Sequence, residues 1–217
     1  MPDFAARRRM MVDTQVRPSD VTKLPIIQAM LRIPRERFVP DALAEVAYAG
    51  ENLLLANGRV VLEARTFSKM LDALSIGPGD LVLDVAPGLG YSSAVIAQLA
   101  EAVIALEPDA DLAAEAEAAL AAIDVGNVIV ENAPAAEGAP RHAPYDVLII
   151  QGGIEAMPEA LEDQLKEGGR AAALFMDGTL GTVRVGVKRK GALRWRDAFN
   201  AAAPVLEGFT RERSFAL

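Results

Sequence analysis

The sequence of 217 residues contains no cysteine, a single histidine (His142) and a single tryptophan (Trp195), and aromatic residues make up 5% of it. Without cysteine there is no disulfide framework, no thiolate metal site and no thiol nucleophile, and one imidazole cannot build a multi-histidine metal centre. No metal site is expected, and the composition fits a reducing, cytoplasmic setting. Long hydrophobic runs are also missing. The longest uncharged stretch, Val85 to Ala100, is interrupted by Pro87, Gly88 and Gly90 and is shorter than the roughly 20 apolar residues that cross a bilayer. Arg7, Arg8 and Arg9 look like the basic end of a signal peptide, but Asp13 follows Met10-Met11-Val12 at once and no apolar region develops. No membrane partner is expected. With 52% hydrophobic residues, 17 glycines and 13 prolines, neither a disordered nor a fibrous class applies, and the length suits one domain with an appendage.

The net charge is −8, and it is unevenly placed. Residues 1–37 carry eight Lys/Arg and four Asp/Glu, residues 101–163 carry one and fourteen, and residues 188–217 carry seven and three. The basic ends lack interleaved aromatics and the chain as a whole repels a polyanion, so no nucleic-acid partner is expected.

The first 75 residues read as helical. Ser19 and Asp20 are placed to cap a helix with Leu24, Ile27, Met30 and Leu31 on its apolar face, ended by Pro34. A short helix from Asp41 to about Ala47 and another over Glu63 to Ser75 follow. From the turn Ile76-Gly77-Pro78-Gly79-Asp80 onward, strands and helices alternate. Strands are expected at Leu81–Val85, Ala102–Leu106, Asn127–Val130, Tyr145–Ile150 and Gly169–Met176. Helices are expected at Tyr91–Ala100, Asp109–Ile123 and Pro158–Leu165. Near-continuous apolar strands alternating with amphipathic helices predict an α/β fold with a parallel sheet covered on both faces. Beyond Gly178, Val183–Lys188 and Leu193–Phe199 read as an antiparallel hairpin about Lys190-Gly191, and Phe209–Phe215 as a last strand.

The segment Leu81-Val82-Leu83-Asp84-Val85-Ala86-Pro87-Gly88-Leu89-Gly90-Tyr91 runs from an apolar strand through a glycine turn into a helix, the first unit of a nucleotide-binding fold. Glycines let a ligand approach the backbone closely, and the helix behind them presents free N–H groups. Seventeen residues past Gly90, Glu107 ends the second strand, where a carboxylate can accept hydrogen bonds from both hydroxyls of an adenosine ribose. The ligand is a dinucleotide or S-adenosylmethionine. Pyrophosphate binding favours a third glycine, absent from Tyr91-Ser92-Ser93, so the phosphate-free S-adenosylmethionine suits the turn better. Asp84 either binds an amino group of the ligand or braces the turn, and Gln151, just past the fourth strand, is placed to line the same cleft. His142 sits in a proline-flanked loop with no catalytic role expected, and Trp195 shares a strand face with Leu193 as a packing residue.

These residues resemble the protein-L-isoaspartate O-methyltransferase family over nearly the whole chain. The resemblance is carried by Met30-Leu31-Arg32-Ile33-Pro34-Arg35-Glu36-Arg37-Phe38-Val39-Pro40-Asp41-Ala42-Leu43, by Asp84 to Tyr91 with Glu107-Pro108, and by Pro144 to Ile150 ahead of Met157-Pro158-Glu159-Ala160-Leu161 and Gln164 to Arg170. It implies a Rossmann-like methyltransferase fold, with residues 1–75 as a helical cap carrying the substrate loop and residues 76–217 as the methyltransferase domain. It also implies S-adenosylmethionine held by Asp84, Ala86, Pro87, Gly88, Gly90, Tyr91, Glu107, Pro108 and Gln151. The substrate implied is a protein or peptide with an isoaspartyl or other carboxylate. The chain departs from the family in three places. Arg59-Val60-Val61-Leu62 stands where members carry a Gln-Thr-Ile-Ser-type loop, so the candidate substrate-loop residues Arg59, Val60 and Leu62 include no hydroxyl. Ala86 stands at the first glycine of the turn. No acid in register follows the third strand at Glu131-Asn132-Ala133-Pro134.

Methyl transfer from a sulfonium to a carboxylate is an in-line displacement that needs positioning and dryness but no general base, since a carboxylate is already ionised at neutral pH. Arg59 is the available cation to hold an acidic substrate or the cofactor carboxylate. Two other readings compete with this enzyme: a catalytically silent relative that only binds cofactor or a partner, raised by Val60 and Leu62, and an NAD-dependent oxidoreductase, disfavoured by the short turn.

Overall fold

A computed structural model describes residues 3–211. Helix α1 (Phe4–Met11) begins at Asp3, whose carboxylate accepts the Ala6 N–H, and runs on through a π turn (Val12–Val16) and a 3-10 turn (Arg17–Ser19). Ser19 and Asp20 do not cap the next helix. Ser19 Oγ donates back to the Gln15 carbonyl at 2.8 Å, Asp20 takes a left-handed φ of 64°, and Lys23 holds the N-cap of α2 (Leu24–Arg32). The later start places Leu24 in solvent, and α2 buries Ile26, Ile27, Ala29 and Met30 instead. The Asp41 segment is a 3-10 helix, Asp41–Val46. Strands β1 (Leu53–Leu54) and β2 (Val60–Val61) pair into a small antiparallel ribbon, and α3 (Ala64–Leu74) follows. Phe67, Met70, Leu71 and Leu74 recur on one face of α3 and are fully buried, as a helix-period stripe requires.

The remaining strands, β3 (Leu81–Val85), β4 (Ala102–Leu106), β5 (Val128–Glu131), β6 (Tyr145–Ile154), β7 (Leu165–Asp177), β8 (Leu180–Arg189) and β9 (Ala192–Asn200), form one sheet in the order β5-β4-β3-β6-β7-β8-β9. Pairings from β5 to β7 are parallel, and β8 and β9 add antiparallel. Helices α4 (Tyr91–Ile96), α5 (Ala110–Ala121) and α6 (Glu159–Asp163) connect the parallel strands. Alternate residues of β3 feed two cores. Val82 packs with α3, α4 and the N-terminal segment, while Leu83 and Val85 pack with Tyr145, Leu161, Leu206 and Phe209 on the opposite face. The strand order reverses between β3 and its neighbours β4 and β6, and such a switch point opens a crevice at the strands' carboxyl ends.

Other elements differ from the sequence expectation as well: β7 already begins at Leu165, so α6 ends at Asp163. Helix α4 stops at Ile96, where the Gln98 and Leu99 N–H groups turn back to the carbonyls of Val95 and Ile96. Strand β6 runs past Ile150 to Ile154 because the chain at 204–206 lies alongside it: the Gly153 N–H donates to the Pro204 carbonyl at 2.8 Å and the Leu206 N–H to the Gly153 carbonyl at 2.9 Å. The close approach needs glycine, since a Cβ on Gly152 would stand 2.6 Å from Leu206 Cδ2. Of the expected last strand, Phe209 lies in irregular chain whose carbonyl accepts the Glu155 and Ala156 N–H groups, and residues 212–217 lie outside the described residues. The hairpin packs as its spacing predicts, with Trp195 edge-on to Phe175 at 5.0 Å.

Candidate active site

The turn after β3 alternates left-handed residues: Ala86 (φ 64°), Gly88 (φ 61°) and Gly90 (φ 91°). Glycine adopts this conformation freely and alanine does not, so Ala86 sits strained where a glycine fits. Its N–H donates to the Leu106 carbonyl at 2.8 Å, which locks the turn to β4. The Pro87 carbonyl accepts the Gly90 N–H at 3.2 Å and closes the loop that starts α4. Tyr91 faces the cap and the small void beside Pro87 rather than the cavity at Pro108. Its ring packs between Phe38 and Phe67, and the guanidinium of Arg35 stacks on it at 4.7 Å.

Asp84 is wholly buried at the end of β3. One carboxylate oxygen accepts the hydroxyls of Ser92 and Ser93, both at 2.6 Å, and the other accepts Gln151 Nε2 at 2.8 Å. Burial pushes its pKa up to about 6, against the pull of these donors and of Arg59. With its donors supplied by α4 and β6, Asp84 braces the turn.

Glu107, one residue past β4, is equally buried. Its Oε2 accepts the Gly88 N–H at 2.7 Å and Arg59 Nη2 at 2.8 Å, and its Oε1 accepts the Asp109 N–H at 3.1 Å. The same Nη2 also donates to the Ala86 carbonyl. Arg59 therefore turns inward onto Glu107 and the turn. Burial raises the Glu107 pKa and lowers that of Arg59, in each case opposed by the partner's charge. Pairing does not fully offset the loss of hydration on either side. The buried Nε of Arg59 has no hydrogen-bond partner among the described residues.

Beside Arg59 opens a cavity of about 240 Å³, lined by Asn57, Gly58, Pro108, Asp109, Ala135 and Leu206 among others. Beside Pro87, Val60 and Leu62 close against Phe67, Tyr91, Ser92 and Gln151, leaving about 10 Å³, room for roughly one water. Asp109 caps α5 through the N–H groups of Asp111 and Leu112 and accepts Asn57 Nδ2 at 2.7 Å. Asn132 donates to the carbonyls of Glu107 and Pro108 at 2.8 and 3.1 Å, so the position after β5 holds backbone rather than presenting an acid. Glu131 pairs instead with Arg141 and His142, at 3.1 and 3.0 Å, away from the turn.

Two further residues build the site without being singled out individually by the sequence, although Arg35 lies within the Met30–Leu43 stretch that carries the family resemblance. Arg35 is fully buried yet faces no carboxylate: its Nε donates to the Ala47 carbonyl at 2.7 Å and its Nη2 to the Leu62 carbonyl at 2.9 Å. It thereby ties the N-terminal segment to the end of the ribbon and to Tyr91. Leu55 lies over the turn, 2.7 Å from where a Cβ on Gly88 would stand. Arg35 opens the short 3-10 turn Arg35–Arg37 and Leu55 follows the two-residue β1, elements too short for periodicity to mark a side chain's direction.

A parallel sheet with this strand order, a glycine turn after the first of its strands and a carboxylate past the second defines a Rossmann-like methyltransferase fold. Solved structures share it: a protein-L-isoaspartate O-methyltransferase superposes with a TM-score of 0.81 at 21% identity, covering 93% of this chain and 66% of the other. A Plasmodium falciparum structure, described as a protein-L-isoaspartate O-methyltransferase in complex with S-adenosyl-L-homocysteine, superposes at 0.79 and 15% identity, covering 95% and 99%. The sequence is also similar to protein-L-isoaspartate O-methyltransferase 1 of Rhodopseudomonas palustris (strain HaA2), 36% identical over 77% of this chain and 68% of the relative. It is 38% identical to protein-L-isoaspartate O-methyltransferase of Methylorubrum extorquens (strain PA1) over 78% and 74%. The family model of protein-L-isoaspartate(D-aspartate) O-methyltransferase matches residues 7–188, and the chain belongs to that family.

Proposed function

We propose that the protein is an S-adenosylmethionine-dependent O-methyltransferase that methylates the isoaspartyl carboxylate of damaged proteins or peptides. Family membership supports the activity, and one observation in the site carries the cofactor reading. Glu107 stands at the end of β4 with both oxygens already oriented by the N–H groups of Gly88 and Asp109, the arrangement that presents a carboxylate to a ribose diol. The residues fit the group: the turn offers Gly88 and Gly90 in the left-handed conformation, and a 240 Å³ cavity adjoins Pro108. Ala86, Pro87, Gly88 and Gly90 would lie along it, Glu107 and Pro108 at its ribose, and Asp84 and Gln151 would hold the turn. S-adenosylmethionine, when bound, supplies an electrophilic methyl group on a sulfonium.

The chain's own contribution is alignment and the exclusion of water. The acceptor carboxylate ionises below neutral pH, so no side chain has to take a proton. Val60, Leu62, Phe67 and Tyr91 make the dry wall beside the turn, and a dry site strengthens the attraction between carboxylate and sulfonium. In this reading residues 1–75 are the substrate-facing cap and residues 76–217 the methyltransferase domain, working in the cytoplasm on protein rather than nucleic acid.

Among the described residues no helix is long and apolar enough to cross a membrane. The family's named relatives favour an active enzyme over the silent reading raised by Val60 and Leu62. Labelled methyl incorporation separates the two: transfer to an isoaspartyl peptide and not to its aspartyl counterpart is expected. S-adenosylhomocysteine binding without transfer to either peptide would overturn the activity.

A further inference from the structure

The ribbon of β1 and β2 is fixed differently at its base and at its tip. At the base, Asn52 Oδ1 accepts the Glu63 N–H at 2.8 Å and Asn52 Nδ2 donates to the Ala202 carbonyl at 2.7 Å. The strands themselves contribute only the pairs Leu53↔Val61 and Leu54↔Val60, extended by the Leu55 N–H to the Arg59 carbonyl at 2.8 Å. The turn between them passes through left-handed Asn57 and Gly58. A two-stranded ribbon of this length has no independent stability; Leu53, Val60, Val61 and Leu62 are buried in the core, and beyond them the tip is placed by what it touches.

The tip touches the cofactor-site residues. Arg59 Nη2 bonds Glu107 and the Ala86 carbonyl, Asn57 bonds the cap of α5 through Asp109, and Leu55 covers Gly88. Together they take the Glu107 oxygen and the turn face that an adenosine ligand needs. The ion pair is made through one guanidinium nitrogen, with Nε buried and unpaired among the described residues, and lacks the two-point geometry of a strong Arg–carboxylate pair. Burial works against the charge of both members, so the pair opens only where another group takes Arg59's place on the carboxylate. Such a contact can open.

Resting on the cofactor reading above, we propose that Arg59 is a latch: it holds the Asn52–Glu63 ribbon shut over the glycine turn, and cofactor enters when Glu107 exchanges Arg59 for the ribose hydroxyls. The Gly88 and Asp109 N–H groups stay on the carboxylate throughout, so Glu107 remains in position while its partner changes. Removing Arg59 leaves a buried carboxylate short of a donor, and ligand hydroxyls then gain by supplying it.

The test uses two readouts on the full-length protein. Hydrogen exchange of the ribbon amides Leu55 and Arg59 needs no ligand; in Arg59→Ala it is expected to accelerate at least tenfold, with β3 and β4 unchanged, and Arg59→Lys restores part of the protection. Titration with S-adenosylhomocysteine is expected to give about tenfold tighter binding in Arg59→Ala and a smaller gain in Asn57→Ala. Unchanged ribbon exchange in Arg59→Ala overturns the latch whatever the ligand does. Faster exchange with weaker binding makes Arg59 a ligand contact and also overturns it. Faster exchange with no binding by either protein leaves the ribbon contact standing and overturns the cofactor reading instead.

Discussion

Asp84 and Glu107 close adjacent parallel strands, both out of reach of solvent, and they are neutralised in opposite ways. Asp84 receives three side-chain donors from α4 and β6, elements built into the sheet. Glu107 receives two backbone N–H groups from the turn and the α5 cap, and its side-chain partner comes from the tip of the separate two-stranded ribbon. Under the proposed function, the difference separates a brace from a binding group. Neutral donors locked in the core cannot be exchanged, whereas, under the proposal, a cation at the tip of a two-pair ribbon can be replaced by a ligand.

The largest test of that contrast is pH. Asp84 has a pKa pushed up to about 6, above the ordinary value near 4 in the unfolded chain, so the folded state binds the proton more tightly. Its contribution is fully present below about pH 4 and is lost as pH rises through about 6, a swing of about 3 kcal/mol. Urea unfolding at stepped pH is expected to show Asp84→Asn gaining on the parent across that window. Glu107→Gln comes next, expected to weaken S-adenosylhomocysteine about 100-fold, roughly 2.7 kcal/mol, by titration calorimetry, and also to lower the unfolding midpoint, because it leaves the buried Arg59 guanidinium without its counter-charge. Ser93→Ala removes one donor to a buried carboxylate and is expected to cost about 2 kcal/mol in urea. Smallest is Ala86→Gly, which relieves the left-handed alanine and is expected to stabilise by about 1 kcal/mol, read as a rise in Tm.

Much of the frame is legible before folding. The β3 and β4 boundaries, the glycine turn and the position of Glu107 follow from local pattern, because an apolar run and a glycine pair mean the same thing in any context. The direction of a long side chain does not. Nothing in Gly58-Arg59-Val60 says that the guanidinium turns inward to Glu107, 48 residues on, rather than outward to an acidic substrate. Tyr91 likewise follows the turn in sequence but points to Arg35 and Phe38, drawn by a cap whose packing no periodicity encodes. The extension of β6 through Gly152 and Gly153 required the 204–206 segment beside it, and two glycines read alone as a loop. Ala86 is visible as a departure from the family, yet its strain shows only in its φ of 64°.

A crystal structure of the protein with S-adenosylhomocysteine tests the central contrast most directly. The account predicts ribose hydroxyls on Glu107, Arg59 withdrawn from it, and the bonds from Ser92, Ser93 and Gln151 to Asp84 intact. A bound ligand with Arg59 still on Glu107, or one that draws the Asp84 donors away, would contradict it.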